Sequence, residues 1–239
     1  MKMKHVKSKR LIMEPMSIAE MDDLIQRETD LELVALYKDL KEKASDNIKD
    51  YKWYSTWKIC LRDDNKQIGE FHFNGLNNCT TQMGYKISEE YWGQGYTYEV
   101  LDAMMNYALS QDEVYFIEML IKKNDEYKVK ALDKFKFKVV AETETEALYA
   151  LEKPKSKMLI IFASIGLCIG LAVGISLNAV VLSLNYIAIG ISVGLCLGAL
   201  IGATIDKSDE DKRKECQEAR IKQGQEEEAA KASEQDNNE

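Results

Sequence analysis

The feature that most constrains this 239-residue chain is a C-terminal segment without a single charged side chain. Residues 158–205 form a 48-residue run that holds no Asp, Glu, Lys, Arg or His. As one helix the run would be about 72 Å long at 1.5 Å per residue. A bilayer core is only about 30 Å thick and needs about 20 residues. The run must therefore fold back on itself, which predicts membrane-spanning helices at 158–177 and 186–205, with the turn between Asn178 and Asn185.

The flanks of this segment indicate its orientation. Positive side chains stand at both ends: Lys153, Lys155 and Lys157 before it, and Lys207, Lys212, Arg213 and Lys214 after it. Positive residues beside a span stay on the cytoplasmic side. The sequence therefore predicts an integral membrane protein whose soluble domain and both termini are cytoplasmic. A hairpin buried in the core of a soluble protein is the alternative interpretation.

Glycines recur at every fourth position in both predicted spans: Gly166, Gly170 and Gly174, then Gly190, Gly194, Gly198 and Gly202. This spacing puts a smooth stripe on one face of each helix, so that two backbones can approach closely. The stripes predict packing within the hairpin or, alternatively, a homo-oligomer. A pore has little support because neither span contains Asp, Glu, Lys, Arg or His.

The remaining composition excludes several classes of function. The net charge of −8 gives nucleic-acid binding little electrostatic support. Only two histidines and five cysteines occur, with no metal-ligand spacing, which argues against a metal site. No apolar segment follows the N-terminus, so we expect no signal peptide. Residues 206–239 hold 12 acidic and 7 basic side chains, which predicts a charged, solvated and mobile tail, partly helical over 209–232.

Strand and helix patterns alternate through the N-terminal part of the chain. Strands are predicted at 10–15, 57–62, 67–73, 81–88, 114–121, 138–141 and 147–152, and helices at 18–27, 31–45, 98–110 and 128–135. Ser17 followed by Glu20 is a capping box that begins the first helix. The order β-α-α-β-β-β-α-β-α-β-β predicts a mixed α/β domain.

A glycine-containing loop between a strand and a helix is the most informative motif. The strand ends near Ser88, Gly93 and Gly95 follow, and a helix begins near Tyr96. Backbone N–H groups at a helix N-terminus suit a pyrophosphate, and glycines remove the side chains that would block its approach. A bare Gly-x-Gly is a weak signal, but the strand–loop–helix context strengthens it considerably.

The segment from Gly84 to Glu99 resembles the acetyl-CoA loop of the GNAT superfamily, in particular the branch of ribosomal-protein alanine N-acetyltransferases. The matching positions are Gly84-Tyr85, the run Glu90-Tyr91-Trp92-Gly93-Gln94-Gly95-Tyr96, and Glu99, together with Lys9-Arg10-Leu11-Ile12, Pro15 and Asn124. The resemblance covers about residues 7–153. It implies a GNAT-like mixed central sheet flanked by helices, with acetyl-CoA as cosubstrate without a metal. It also implies an acceptor pocket formed by the helices near residues 17–50 and by the β-hairpin loops.

The resemblance also implies roles for individual residues. The backbone of Ile87 would pair with the pantetheine arm as an added strand does. The amides of Gly93, Gln94, Gly95, Tyr96 and Thr97 would hold the pyrophosphate, with Trp92 beside them. Asn124 would orient the cofactor. Core packing is the alternative for Trp92 and Tyr91, and capping of the next helix is the alternative for Asn124.

The proton-transfer residues of the family are not at their usual places. A glutamate is often found where this chain has Met119 or Thr81, and a tyrosine where it has Ala131 or Leu132. The remaining candidates for catalysis are Glu70 and Tyr127, each with a structural or surface role as the alternative. Catalysis could also proceed through positioning and a water relay.

Three functions follow from these features. The first is a membrane-anchored N-acetyltransferase that acts on a primary amine, either a protein N-terminus or a small molecule. The second is a non-catalytic CoA-binding or docking module on a membrane anchor. The third is a structural glycine-zipper membrane protein. The predicted organisation is an acetyltransferase domain at 1–153, a linker at 154–157, two transmembrane helices and a charged cytoplasmic tail at 206–239.

Overall fold

The structure, a computed structural model, describes residues 5–181 and 185–236, with side chains outside 178–185 and 226–236. The chain divides into two compact units, Met1–Lys153 and Pro154–Glu239. The first unit is the mixed α/β domain that the sequence predicts. Its strands are β1 Val6–Lys7, β2 Leu11–Pro15, β3 Thr56–Leu61, β4 Gln67–Phe73, β5 Thr80–Ile87, β6 Phe116–Lys122, β7 Lys138–Glu142 and β8 Glu146–Glu152.

The helices of the first unit are α1 Ile18–Arg27, α2 Leu31–Asp46, α3 Tyr51–Tyr54, α4 Tyr96–Leu109 and α5 Glu126–Asp133, with 3₁₀ turns at Ile48–Asp50 and Glu89–Tyr91. The sequence patterns missed β1 and α3, because two and four residues are too few to show a periodicity. The capping box at α1 is confirmed: Glu20 N–H donates to Ser17 Oγ, and Ser17 N–H donates to the Glu20 carboxylate.

The eight strands form one sheet in the order β1-β2-β3-β4-β5-β6-β8-β7. Every neighbouring pair is antiparallel except β5 and β6, which run parallel. One face of β4 and β5 carries Phe71, Phe73 and Met83, which pack with Val100 and Met104 of α4 in the main core. On the opposite face, Tyr37 of α2 lies against His72 of β4. Helices therefore cover both faces at the centre of the sheet.

The second unit consists of α6 Met158–Val181 and α7 Asn185–Asp236. The segments Met158–Leu177 and Tyr186–Gln225 are long and apolar enough to cross a membrane, judged by length and composition. The predicted turn at 178–185 is too long, since α6 continues to Val181 and α7 begins at Asn185; positions 182–184 lie outside the described residues. Apolar residues 179–181 extend α6 because nothing in them interrupts its backbone hydrogen bonding.

The glycine stripes of α6 and α7 face each other. A Cβ on Gly194 would lie 2.2 Å from the Gly166 carbonyl oxygen, and one on Gly198 would lie 2.1 Å from the Phe162 carbonyl oxygen. Real Cβ atoms essentially never come so close. Glycine is therefore the residue that lets these two backbones touch, as in close-packed membrane helices.

The charged tail is helical over a longer range than the predicted 209–232. Helix α7 continues without a break from its apolar part through Asp236. The tail is rich in Ala, Glu, Lys and Gln, which have high helix propensity, and it contains no proline. Lys214 Nζ lies 3.0 Å from Glu210 Oε1, an i,i+4 pair of the kind that supports a solvated helix.

Candidate active site

The two central parallel strands separate into an open gap. β5 and β6 pair only at Thr80–Phe116, Thr81–Ile117 and Gln82–Glu118. Beyond Gln82, β5 continues to Ile87 beside β4, while β6 continues to Lys122 beside β8. The sheet therefore splits like a V, and the inner edge of β5 has no neighbouring strand past Gln82.

The register of β4 and β5 shows which backbone groups line this gap. Ser88 N–H donates to Ile68 O at 2.9 Å, and Asn74 N–H donates to Gln82 O at 2.8 Å. Hydrogen-bonded and non-hydrogen-bonded pairs alternate in an antiparallel ladder. The pairs Phe71–Tyr85 and Gly69–Ile87 are thus non-hydrogen-bonded, and the backbone groups of Tyr85 and Ile87 point away from β4 into the gap.

A loop with two left-handed glycines leads from the end of β5 into α4. Gly93 has φ +74°, and Gly95, the N-cap of α4, has φ +83°, a region that costs other residues about 1–2 kcal/mol. Gly95 supplies no side chain to cap the helix. The first amides of a helix have no intrahelical acceptor. The N-terminus of α4 therefore offers N–H groups and the positive end of a dipole to an anion.

Arg10, which directly precedes β2, contacts this loop. Its Nε donates to Glu99 Oε2 at 2.8 Å, its Nη1 donates to Gln94 O at 3.2 Å, and its guanidinium lies 4.2 Å from the centre of the Tyr96 ring. Burial disfavours the Glu99 carboxylate, but hydrogen bonds from Arg10 and Ser8 outweigh it and lower the pKa of Glu99. Arg10 and Glu99 therefore fix the loop relative to the sheet.

A cavity of about 720 Å³ passes through the gap and reaches both faces of the sheet. On the α2 side its walls include Leu33, Tyr37 and His72. On the α4 and α5 side they include Tyr85, Ile87, Trp92, Thr97, Asn124, Tyr127 and Lys128. A cavity lined from both faces of the sheet can bring two reactants together between the strands.

Two buried polar atoms in the cavity wall have no hydrogen-bond partner among the described residues: His72 Nδ1 and Tyr85 Oη. Burial lowers the pKa of His72 to about 4 and raises the pKa of Tyr85 well above its ordinary value, so both side chains are neutral at physiological pH. A buried polar atom without a partner is costly in a folded protein. A ligand that reaches either atom from the cavity would complete its hydrogen bonding.

Sequence reasoning considered His72 only as a metal ligand and did not foresee Tyr37. In the structure His72 stands directly opposite Gly84 on β5, a pairing that the sequence patterns did not give. A Cβ on Gly84 would lie 2.5 Å from His72 Nε2. The glycine of the Gly84-Tyr85 motif therefore makes room for the imidazole ring.

Trp92 and Tyr127 form a stacked pair at the cavity. Their ring centres are 5.8 Å apart with an angle of 18° between the planes, and Tyr127 Oη lies 2.9 Å from Thr97 Oγ1. Trp92 Nε1 donates to Ile87 O at 2.7 Å. Trp92 is 51% exposed, so it is not a core residue, whereas Tyr91 packs partly buried against the core.

The structure does not bring the two candidate catalytic residues together. Tyr127 lines the main cavity, but Glu70 lines a separate one of about 360 Å³, beside Arg27 and Lys86. Arg27 Nη2 lies 3.3 Å from Glu70 Oε1, and Gln67 Nε2 donates to the same oxygen at 2.9 Å. Burial raises the pKa of Glu70 even though these cations oppose the shift.

The predicted binding residues lie along one path. Ile87, Trp92, Thr97 and Asn124 line the main cavity, and Gly93, Gln94, Gly95 and Tyr96 form the loop and helix start above it. Asp125, not Asn124, caps α5, because Asp125 Oδ1 accepts from Lys128 N–H at 3.0 Å. Asn124 is therefore left to face the cavity.

Solved structures with a similar fold include acetyltransferases. The ribosomal-protein-S5-alanine acetyltransferase from Vibrio fischeri superposes with a TM-score of 0.52 at 11% identity, over 64% of this chain and 99% of that one. A ribosomal L7/L12 alpha-N-protein acetyltransferase in complex with coenzyme A superposes with a TM-score of 0.50 at 15% identity, over 62% of this chain and 98% of that one. No protein of curated function matches the sequence at a significant level.

At identities of 11% and 15%, the similarity to these structures shows only a shared fold. The family is shown by the sequence instead. The model of the acetyltransferase (GNAT) domain matches residues 10–138, more than half of the chain. The match includes β2, the gap between β5 and β6, and the loop that begins α4. The chain therefore belongs to the GNAT acetyltransferase domain family.

Proposed function

We propose that this protein transfers the acetyl group of acetyl-CoA to a primary amine, either a protein N-terminus or a small molecule. The observation that carries the proposal is the backbone edge of Tyr85 and Ile87, with which no strand of the sheet pairs and which leads to the uncapped N-terminus of α4. An extended amide-containing arm pairs with such an edge as an added strand does. A pyrophosphate at the end of that arm suits the helix N-terminus.

In this proposal the binding groups act in sequence along the ligand. Ile87 pairs with the pantetheine arm, and the amides of Gly93, Gln94, Gly95, Tyr96 and Thr97 hold the pyrophosphate. Asn124 and Trp92 contact the arm from the cavity wall. The acceptor amine enters from the α2 side, where Leu33 and Tyr37 form the wall. Tyr127 and Glu70 remain candidates for proton transfer.

We also propose that 158–177 and 186–205 anchor the protein in a membrane, with the domain at 1–153 and the tail at 206–239 on the cytoplasmic side. The apolar character of both helices supports the anchor, and the positive residues on both flanks support the orientation. The acetyl transfer would then take place at a membrane surface, next to membrane-associated acceptors.

The proposal is tested by thiol release from acetyl-CoA with the full-length protein in detergent micelles. The acceptors are n-butylamine, spermidine and a peptide that begins with a free alanine, and calorimetry measures acetyl-CoA binding in parallel. We expect micromolar binding and thiol release that depends on an amine. Binding without release for any amine would instead support a non-catalytic CoA-binding module. Absence of binding to the folded protein would exclude the transferase.

Trp92 provides a further prediction. Its indole N–H donates to the Ile87 carbonyl oxygen, with which the pantetheine arm would pair. Trp92→Phe removes the hydrogen bond to Ile87 O but keeps an aromatic ring to stack on Tyr127. A hydrogen bond of this kind contributes about 0.5–1.5 kcal/mol net. We therefore expect the variant to bind CoA roughly 3- to 10-fold more tightly, measured by calorimetry.

The fluorescence of the same variant supplies a control. Trp53 and Trp57 are fully buried in the core, so displacement of Trp92 should account for the change in emission when CoA binds. We expect that change in the wild type and its loss in Trp92→Phe. An unaltered fluorescence response together with unaltered affinity would show that Trp92 does not leave Ile87 when CoA binds.

A further inference from the structure

His72 is a base in the main cavity. The positions at which the family usually carries its proton-transfer residues hold no such group in this chain. His72 is 7% exposed, and its Nδ1 has no hydrogen-bond partner among the described residues. Burial keeps its pKa at about 4, so the imidazole is neutral at physiological pH and carries one basic nitrogen. It is also part of the cavity wall. A neutral base is therefore available inside the cavity before any substrate arrives.

The imidazole lies at the closed end of the V between the strands. Pairing of β5 with β6 ends at Gln82, and the ring packs against Gly84, two residues further along. The N-terminus of α4 lies past the opposite end of β5, beyond Ile87. A CoA arm whose pyrophosphate is held at α4, and which pairs with Ile87 and Tyr85, therefore directs its thioester towards Gly84 and His72.

We propose that His72 is the proton shuttle of acetyl transfer in this chain, an inference that rests on the proposed function. The amine nitrogen forms a bond to the thioester carbonyl carbon, and His72 accepts the proton that this nitrogen loses. The carbon–sulfur bond then breaks, and the imidazolium gives the same proton to the departing sulfur. The products are the acetylated amine and the free thiol of CoA, with no other reactant consumed.

The low pKa of His72 suits the second proton transfer, to sulfur, and makes the imidazole a weak base for the first. The amine nitrogen becomes acidic as its bond to the carbonyl carbon forms, which is when a neutral imidazole next to it can act. A thiol has an ordinary pKa of about 8.5. Because the pKa of His72 is about 4, its imidazolium is the stronger acid and passes the proton to the thiolate readily.

The groups around the ring come from several elements. On α2, Tyr37 packs edge-on against it with ring centres 6.2 Å apart, and burial raises the pKa of Tyr37. On α5, the positive charge of Lys128 adds to the lowering of the pKa of His72. On its own strand Glu70 points to the same face, opposite Lys86 of β5, but is paired with Arg27 in the second cavity. Among the described residues that line the main cavity, His72 is therefore the neutral nitrogen base.

The test compares His72→Asn and His72→Gln with the wild type, using the full-length protein and n-butylamine and the alanine peptide as acceptors. We expect both variants to bind acetyl-CoA within about threefold of the wild type, while kcat falls about 100-fold or more. His5→Gln is the matched control, because His5 is the exposed histidine among the described residues. This variant should keep full activity.

A chemical rescue separates proton transfer from a structural role. In His72→Ala, added imidazole should restore thiol release in proportion to its concentration, and ring-substituted imidazoles should restore it in the order of their basicity. If the His72 variants do not fold, Gly84→Ala gives the second readout. Its methyl group would collide with Nε2, so it should lower kcat without weakening acetyl-CoA binding.

The outcomes are distinct for the two proposals. Loss of kcat with rescue by imidazoles establishes the shuttle. Wild-type kcat in His72→Asn and His72→Gln overturns it and leaves the proposed function standing. Loss of kcat in Glu70→Gln, with His72 variants unaffected, assigns proton transfer to Glu70 instead. Absence of thiol release by the wild type with every amine overturns both proposals together.

Discussion

Gly95→Glu should weaken acetyl-CoA binding about 100-fold or more. Gly95 is the N-cap of α4, and the first amides of this helix are the proposed partners of the pyrophosphate. A glutamate there would place a negative charge within a few ångströms of the phosphates, where like charges repel with several kcal/mol at the effective dielectric constant of a protein surface. Calorimetric titration of the full-length protein with acetyl-CoA measures the effect.

Gly95→Gln is the matched control, because it adds a side chain of similar size without the negative charge. Both variants adopt the same φ of +83°, so both lose about 1–2 kcal/mol of stability from the left-handed backbone. A Cβ at this position would lie 3.6 Å from Arg10 Nη2, an ordinary contact, so neither variant creates a backbone clash. We expect Gln to bind at least 10-fold more tightly than Glu, with the difference shrinking at high salt. Equal affinities for wild type, Gln and Glu would place the phosphates elsewhere.

The conformation of the loop between β5 and α4 was predictable because its signals are local. A strand that ends at Ile87, two glycines and a helix that begins at Tyr96 all lie within a few residues, and each element is set by its own sequence. The capping box of Ser17 and Glu20 was predictable for the same reason. Backbone preferences of neighbouring residues decide such features, so no knowledge of distant contacts is needed.

The cavity could not be read in the same way, because it depends on strand pairing. His72 and Gly84 meet only through the register of β4 on β5, and Tyr37 reaches the ring from a helix far away in sequence. A shift of one residue in that register would move His72 to the opposite face of the sheet. Pattern analysis placed β4 correctly but gave no register, so the lone histidine of the sheet looked uninformative.

Separation of Glu70 from Tyr127 has a similar origin. Along β4 the side chains alternate between the two faces, and Glu70 faces the α2 side while Tyr127 lies on the α5 side. Arg27, at the C-terminal end of α1, forms an ion pair with Glu70 in the second cavity. Neither the ion pair nor the boundary between the cavities has a signature in the sequence, since both depend on how α1 crosses the sheet.

The two apolar helices provide the second large prediction. Gly194→Leu should push α6 and α7 apart, because a Cβ at this position would already lie 2.2 Å from the Gly166 carbonyl oxygen and 2.8 Å from the Gly170 Cα. Without glycine the axes must separate towards the 8–10 Å spacing of ordinary helix pairs, about 2–3 Å wider than a glycine contact allows. Overpacking of this kind typically costs about 1–3 kcal/mol or more.

Cys168 of α6 and Cys196 of α7 are both exposed and can carry nitroxide labels once the remaining cysteines are replaced by alanine. Pulsed electron resonance in lipid nanodiscs then measures the distance between the labels. Val193→Leu is the matched control, since Val193 is 52% exposed and lies outside the glycine stripe. We expect a wider distance in Gly194→Leu and an unchanged one in Val193→Leu. Equal distances in all three proteins would mean that the stripes do not hold the hairpin together in a bilayer.

A single label on Cys196 distinguishes packing within one chain from assembly between chains. In the structure the stripe of α7 is covered by the stripe of α6, so each backbone already occupies the groove that a second chain would need. We therefore expect no short distance between singly labelled chains at low density in the bilayer. If such a distance appears and Gly194→Leu removes it, the stripes form an interface between chains. The anchor would then bring several acetyltransferase domains to one patch of membrane rather than hold each one separately.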